Sequence, residues 1–189
     1  MSEETILQTI QLLPLSEWTV SGLGFMRAKL DETRRLHIWD SMLKLPGVTP
    51  VHTHPWDFVS TVHSGLLINQ MYLECPEPTE CAFGVPWRSV TIRCGADGMM
   101  KDAPIPTKLH AIAPIVRVAG EKYRQEKAQI HSTYADDGTV TVIDRTFYED
   151  RETARVFMRG ETEWVDARVR PATFTEHAIV TQRALALWA

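Results

Sequence analysis

The chain has 189 residues, 44% hydrophobic and 23% charged, and its 20 lysines and arginines against 24 acids leave a formal net charge of −4. That length and composition suit one globular domain, residues 1–189, with a single buried core. The acidic balance and the lack of a basic stripe argue against a nucleic-acid binder, and no apolar run reaches the roughly 20 residues of a membrane-spanning helix.

The chain opens Met1-Ser2-Glu3-Glu4, acidic where a secretory leader is basic, so a cytoplasmic location is expected. Ser2 can cap a short helix over about 3–13, with Ile6, Leu7, Ile10 and Leu13 on one face and Pro14 ending it. From Trp18 onward short β-rich runs follow one another, separated by Pro, Gly and Asp. Strands are predicted at about 33–40, 58–63, 66–73, 87–93, 112–118, 127–134, 139–147 and 153–159. Residues 74–108, rich in Pro and Gly, read as an insertion. Asp137-Gly138 between two runs predicts a type I′ hairpin, and Ser64-Gly65 breaks another pair. A second helix is expected over about 175–188, packing through Ala178, Leu185 and Trp188. No βαβ alternation appears, so the class is all-β, a sandwich or barrel with a core over about 20–170.

Cys75, Cys81 and Cys94 are an odd set in a chain without an export signal, so reduced thiols without metal are expected. The chemistry concentrates in Gly47–Gly65, GVTPVHTHPWDFVSTVHSG. His52 and His54 are two apart, so on an extended strand both imidazoles point to one side and can bind one cation. Imidazole suits iron, zinc, nickel and copper. Pro55 belongs at an edge or bulge. Strict alternation turns Asp57 away from the two histidines; a one-residue bulge turns it toward them, as a third ligand. His131, before the Asp137-Gly138 turn, is the best later histidine, with His110 competing. His63 falls in phase with Asp57 and reads as structural or rim. His37 reads as a core-edge group and His177 as solvent-facing. Glu126 falls on the face opposite His131. Tyr72 and Tyr123 are candidate hydrogen-bond or proton donors. No Gly-x-Ser-x-Gly, Walker loop or dinucleotide glycine pattern is present.

His52-Thr53-His54-Pro55 followed by Gly65, with a later His131, resembles the two motifs of the cupin superfamily. Where the family places Glu or Gln, four or five residues after the second histidine, this chain has Phe58 and Val59. The ligand order is most similar to that of thiol dioxygenase-type cupins. The resemblance covers about residues 35–147 and implies a double-stranded β-helix (jelly-roll) barrel. It also implies one divalent metal on His52, His54 and His131, with Fe(II) favoured and Zn, Ni or Mn as alternatives. Catalysis would then be dioxygenation of a small polar substrate such as a thiol or organic acid, with Tyr72, Asp57 or an arginine (Arg35, Arg117 or Arg145) assisting. Lewis-acid isomerase or lyase chemistry and simple ligand binding are the other readings. The resemblance implies a homodimer as well.

Overall fold

A computed structural model describes residues 2–75, 84–93, 102–146, 153–159 and 169–188. Helix α1 (Glu3–Leu12) starts where the Ser2 side chain accepts the Thr5 N–H, and it buries Ile6 and Ile10, one turn apart. The strands follow in order: β1 (Trp18–Ser21), β2 (Leu23–Lys29), β3 (Arg34–Lys44), β4 (Asp57–Ser64), β5 (Leu66–Glu74), β6 (Val85–Arg93) and β7 (Ile105–Ala111). After them come β8 (Ile115–Val118), β9 (Lys122–Gln125), β10 (Ile130–Ala135), β11 (Val140–Thr146), β12 (Thr153–Arg159) and β13 (Arg170–Pro171). Helix α2 (Phe174–Ala186) closes the order, with a capping box between Thr173 and Glu176. None of the described helices is long and apolar enough to cross a membrane.

The strands form two antiparallel sheets. The first has seven strands in the order β13-β1-β2-β3-β11-β4-β9; the second runs β10-β5-β7-β6-β12, with β8 also on β5. Side-chain alternation divides the core. Met26, Ala28, Leu36, Ile38, Val140 and Val142 face the two helices, where Ile6, Ile10, Val180 and Ala184 meet them. Their neighbours in sequence face the other way. Phe25, Trp39, Phe58, Val62, Tyr123 and Ile143 of the first sheet pack with Leu67 of the second, so this cluster lies between the sheets.

Several local expectations change. Asp137-Gly138 does not join a hairpin: β10 pairs with β5, whereas β11 pairs with β3 and β4. The turn carries the chain from one sheet to the other. Gly138 alone has positive φ, at 85°, and the Thr139 N–H reaches the Asp136 carbonyl, which is a type II arrangement. A Cβ at Gly138 would lie 2.9 Å from the Arg183 carbonyl oxygen of α2, so the close approach also demands glycine. Second, residues 74–108 are part of the second sheet: the strand expected at about 87–93 is β6, paired with β12 and β7, and β7 pairs in turn with β5. Third, Leu185 and Trp188 pack against the helix-side core as expected, but Ala178 is exposed, and Val180, Thr181 and Ala184 are the buried positions of α2. His177 is not solvent-facing: it sits edge-on to Trp18 at 5.7 Å with its Nε2 buried.

Cys75 is disulfide-bonded, not a reduced thiol. An odd count leaves room for one bridge and one thiol, so parity could not exclude it. Cys81 and Cys94 lie outside the described residues.

Candidate metal centre

His52 and His54 lie on the extended stretch before β4, and that stretch is held on both sides. His52 and His131 exchange both backbone hydrogen bonds, N–H to O at 2.9 and 3.0 Å. The Phe157 N–H donates to the Val51 carbonyl at 2.9 Å, and the Thr53 N–H donates to the Arg155 carbonyl at 2.8 Å. Residues 51–53 therefore bridge β10 and β12, the two edge strands of the second sheet. Directly opposed residues of an antiparallel pair project to the same face. That is why His131, 77 positions beyond His54, arrives beside it.

Thr53 locks this segment. Its hydroxyl accepts the Arg155 N–H at 2.8 Å, and it is 5% exposed. Arg155 in turn grips Glu74 through both Nη groups, at 2.5 and 2.6 Å, and this holds the Glu74 carboxyl below its usual range. Thr53→Val keeps the shape but leaves the Arg155 N–H without its acceptor. Chemical denaturation is expected to show a loss of about 1–3 kcal/mol, with Thr53→Ser close to wild type.

The three imidazoles meet at their Nε2 atoms. His52 Nε2 is 3.1 Å from His54 Nε2, which is 3.0 Å from His131 Nε2. All three ligand atoms lie within 4.8 Å of one another. Hydrogen bonding fixes two tautomers. The Pro50 carbonyl can only accept, so His52 Nδ1 carries the proton, at 2.8 Å. Around His131 the direction follows from a buried chain: Gln125 Nε2 donates to Gln129, so Gln125 Oε1 accepts from Asn69 Nδ2 at 3.1 Å. Asn69 Oδ1 is then the acceptor for His131 Nδ1, at 2.7 Å. His52 and His131 thus both aim an Nε2 lone pair at the shared point. Burial lowers the pKa of all three imidazoles, and for His54 and His131 positive neighbours lower it further. Neutral imidazoles with convergent lone pairs are what a cation requires.

Two of the three spacings fit a shared ion. Two nitrogens bound at right angles to one ion, each at about 2.1 Å, lie about 3.0 Å apart; at the tetrahedral angle they lie about 3.4 Å apart. The two close pairs match the right-angled arrangement. Asn69→Leu removes the acceptor that holds His131 in its tautomer. Competition titration is expected to show metal affinity reduced about 10–100-fold.

The other candidates lie elsewhere. Asp57 does not join the histidines. It opens β4 with its side chain on the same face as His63, takes the Lys127 N–H at 2.7 Å and pairs with Arg124 at 2.8 Å. It secures the 126–129 turn, where Ala128 holds a positive φ of 63° and donates its N–H to the His54 carbonyl. Phe58, not Asp57, shares the side of His54, its ring 5.0 Å from the imidazole, and burial alternates along β4 with Phe58, Ser60 and Val62 buried. Tyr72 stands opposite Ile130 in the β5–β10 register, one step out of phase with Asn69 and Met71, so it faces away from the cluster. Its hydroxyl meets Ser132 at 3.2 Å, and its ring meets Trp87 across a cleft of about 460 Å³ on the far side of the sheet. The tyrosine within the intersheet core is Tyr123, bonded to Ser60 and Thr133, its phenol pushed up to about 12 by burial. His63 and His110 are outside the cluster, His110 being exposed on β7. Arg117 donates to the Val116 and Lys122 carbonyls.

Sequence reasoning missed Asn69 and Gln125 as supports for His131. Asn69, an amide inside the predicted 66–73 strand, was the one available signal; Gln125 lies outside every strand predicted from the sequence. The same reasoning also missed Arg27, since β2 was not recognised as a strand. No family model matches the chain, and a search of curated proteins found no match to it either.

Proposed function

We propose that this protein is a mononuclear metal enzyme of the cupin kind, an Fe(II)-dependent dioxygenase acting on a small polar substrate. One observation carries the reading: three neutral imidazoles from distant stretches direct their Nε2 atoms to one point, with two spacings near 3 Å. The two facing antiparallel sheets, whose strands β4–β5 and β10–β11 cross between them, are compatible with a jelly-roll barrel. His52, His54 and His131 would hold the ion. When bound, a ferrous ion with three protein ligands supplies a redox-active centre with open positions for substrate and dioxygen.

The remaining work falls to the chain. Pro50 and Asn69 keep two ligand rings oriented through their Nδ1 protons. Trp56 and Phe58, 5.5 and 5.0 Å from the His54 ring, wall the cluster against bulk water. Tyr123, rather than Tyr72, is the phenol in the same interior and stays protonated near neutral pH as a hydrogen-bond donor.

Metal analysis of protein purified without added metal tests the reading, followed by oxygen uptake with small thiols and organic acids. Stoichiometric iron and substrate-dependent oxygen consumption are expected. Bound zinc, nickel or manganese without oxygen uptake would move the assignment to Lewis-acid chemistry at the same three residues.

A further inference from the structure

We propose that the interior beside the imidazole cluster holds a second anchor, built from Arg27, Arg35 and His37, for an acidic group, so that the substrate is a small organic dianion. One acid group would lie toward the imidazoles and the other on the guanidinium pair. This deepens, and rests on, the reading of the cluster as a metal enzyme's centre.

Placement comes first. In β2, Met26 and Ala28 enter the helix-side core and Phe25 the intersheet core, so Arg27 points between the sheets. In β3, Leu36 and Ile38 face the helices and Trp39 the interior, so Arg35 and His37 share that interior. The register sets Arg27 opposite His37, with Thr141 on the other side of His37. Two guanidiniums and an imidazole thus form one patch on adjacent strands.

Charge comes second. Arg27 is brought down to about 10 by burial and by the nearby Arg35 and Arg145. Its Nε donates to the Thr19 hydroxyl at 3.3 Å, and among the described residues no carboxylate pairs with Arg27 or Arg35. Two guanidiniums facing one interior without a counter-charge are costly to the fold unless a ligand neutralises them. Arg145, donating to the Thr33 and Glu32 carbonyls at 2.8 and 2.9 Å, adds to the positive field on the same face.

His37 is the third and independent sign. It is 7% exposed, stacked on Phe25 at 4.5 Å, and its Nε2 is buried with no hydrogen-bond partner. A buried polar atom is nearly always satisfied, so an orphan beside two unpaired cations marks the place of a missing acceptor. A carboxylate fills it, taking bidentate hydrogen bonds from a guanidinium and one from the imidazole N–H. The anchor is close to the cluster: His37 stacks on Phe25, Phe25 packs in the same intersheet core as Phe58, and the Phe58 ring lies 5.0 Å from the His54 ring. A monoacid or simple aminothiol leaves one of the two anchors unused; a dianion occupies both.

The test uses calorimetry and thermal shift on metal-free and metal-loaded full-length protein, with succinate and glutarate against butyrate and cysteamine. Succinate or glutarate is expected to bind wild type at least about 10-fold more tightly than butyrate, and Arg35→Gln and Arg27→Gln each to weaken that binding at least about 10-fold. Both variants are expected to keep wild-type metal content, and ligand-free Arg35→Gln to melt at or above wild type. Equal binding of diacid and monoacid by wild type, or undiminished diacid binding by the variants, overturns the anchor. If a variant fails to fold, the wild-type preference decides, together with a shift of the His37 ¹⁵Nε2 resonance on adding diacid to metal-free protein. An unmoved resonance counts against the anchor. Failure of wild type to bind metal sinks the enzyme reading instead, and is scored separately by metal content.

Discussion

His54→Ala is expected to lower metal affinity by more than about 100-fold, beyond the upper range for losing a supporting hydrogen bond, and to abolish any metal-dependent activity. His54 is the middle of the three, within 3.1 Å of His52 Nε2 and 3.0 Å of His131 Nε2. Without it, the two remaining imidazoles offer a bidentate site that a divalent ion leaves readily. The fold should persist, because the backbone pairs at Val51, His52 and Thr53 do not involve the imidazole. The lost ring contacts with Trp56 and Phe58 are expected to cost about 1–3 kcal/mol. Metal titration paired with denaturant unfolding separates the two effects; equal metal affinity in the variant would exclude His54 as a ligand.

Acid is expected to destabilise the metal-free protein steeply below about pH 6.5. Burial holds His37, His52, His54 and His131 below the ordinary histidine pKa, and repulsion from neighbouring basic groups adds to it at His37, His54 and His131. The unfolded chain therefore takes up protons first, as pH falls through about 6.5, while the folded chain resists. Stability is fully present above that pH and is lost on descent toward the depressed folded values. Each such histidine contributes at most about 1.4 kcal/mol per pH unit. All four together approach roughly 5 kcal/mol per unit, comparable to the whole stability of an ordinary domain. Bound metal should shift the transition to lower pH, because protons must then compete with the ion. Denaturant midpoints measured from pH 7.5 to 5.0 check this; a flat profile would mean the imidazoles are solvated.

What could be read from the sequence follows the range of each signal. His52 and His54 were legible because a two-residue period on extended chain needs no tertiary information. Asp57 and Tyr72 were decided by phase. Alternation from Phe58 turns Asp57 outward, and alternation from Asn69 turns Tyr72 to the far side. Asp137-Gly138 predicts positive φ at both positions and only Gly138 has it; the strands on either side belong to different sheets, and pairing partners are set by distant contacts. Strand β2 was hidden by the irregular register between Leu23 and Phe25, and β7 by Pro106 within it. With β2 hidden, the juxtaposition of Arg27 with His37 could not be seen. The Asn69–Gln125 link joins residues 56 apart on different sheets, and no local pattern announces such a bond.

A crystal structure of the iron-loaded protein, with anomalous data on both sides of the iron edge, tests the three-imidazole centre most directly. The expected result is one iron peak about 2.1–2.2 Å from the Nε2 atoms of His52, His54 and His131, within the range of imidazole–metal bonds. A peak elsewhere, or one that leaves any of these three nitrogens uncoordinated, would contradict it.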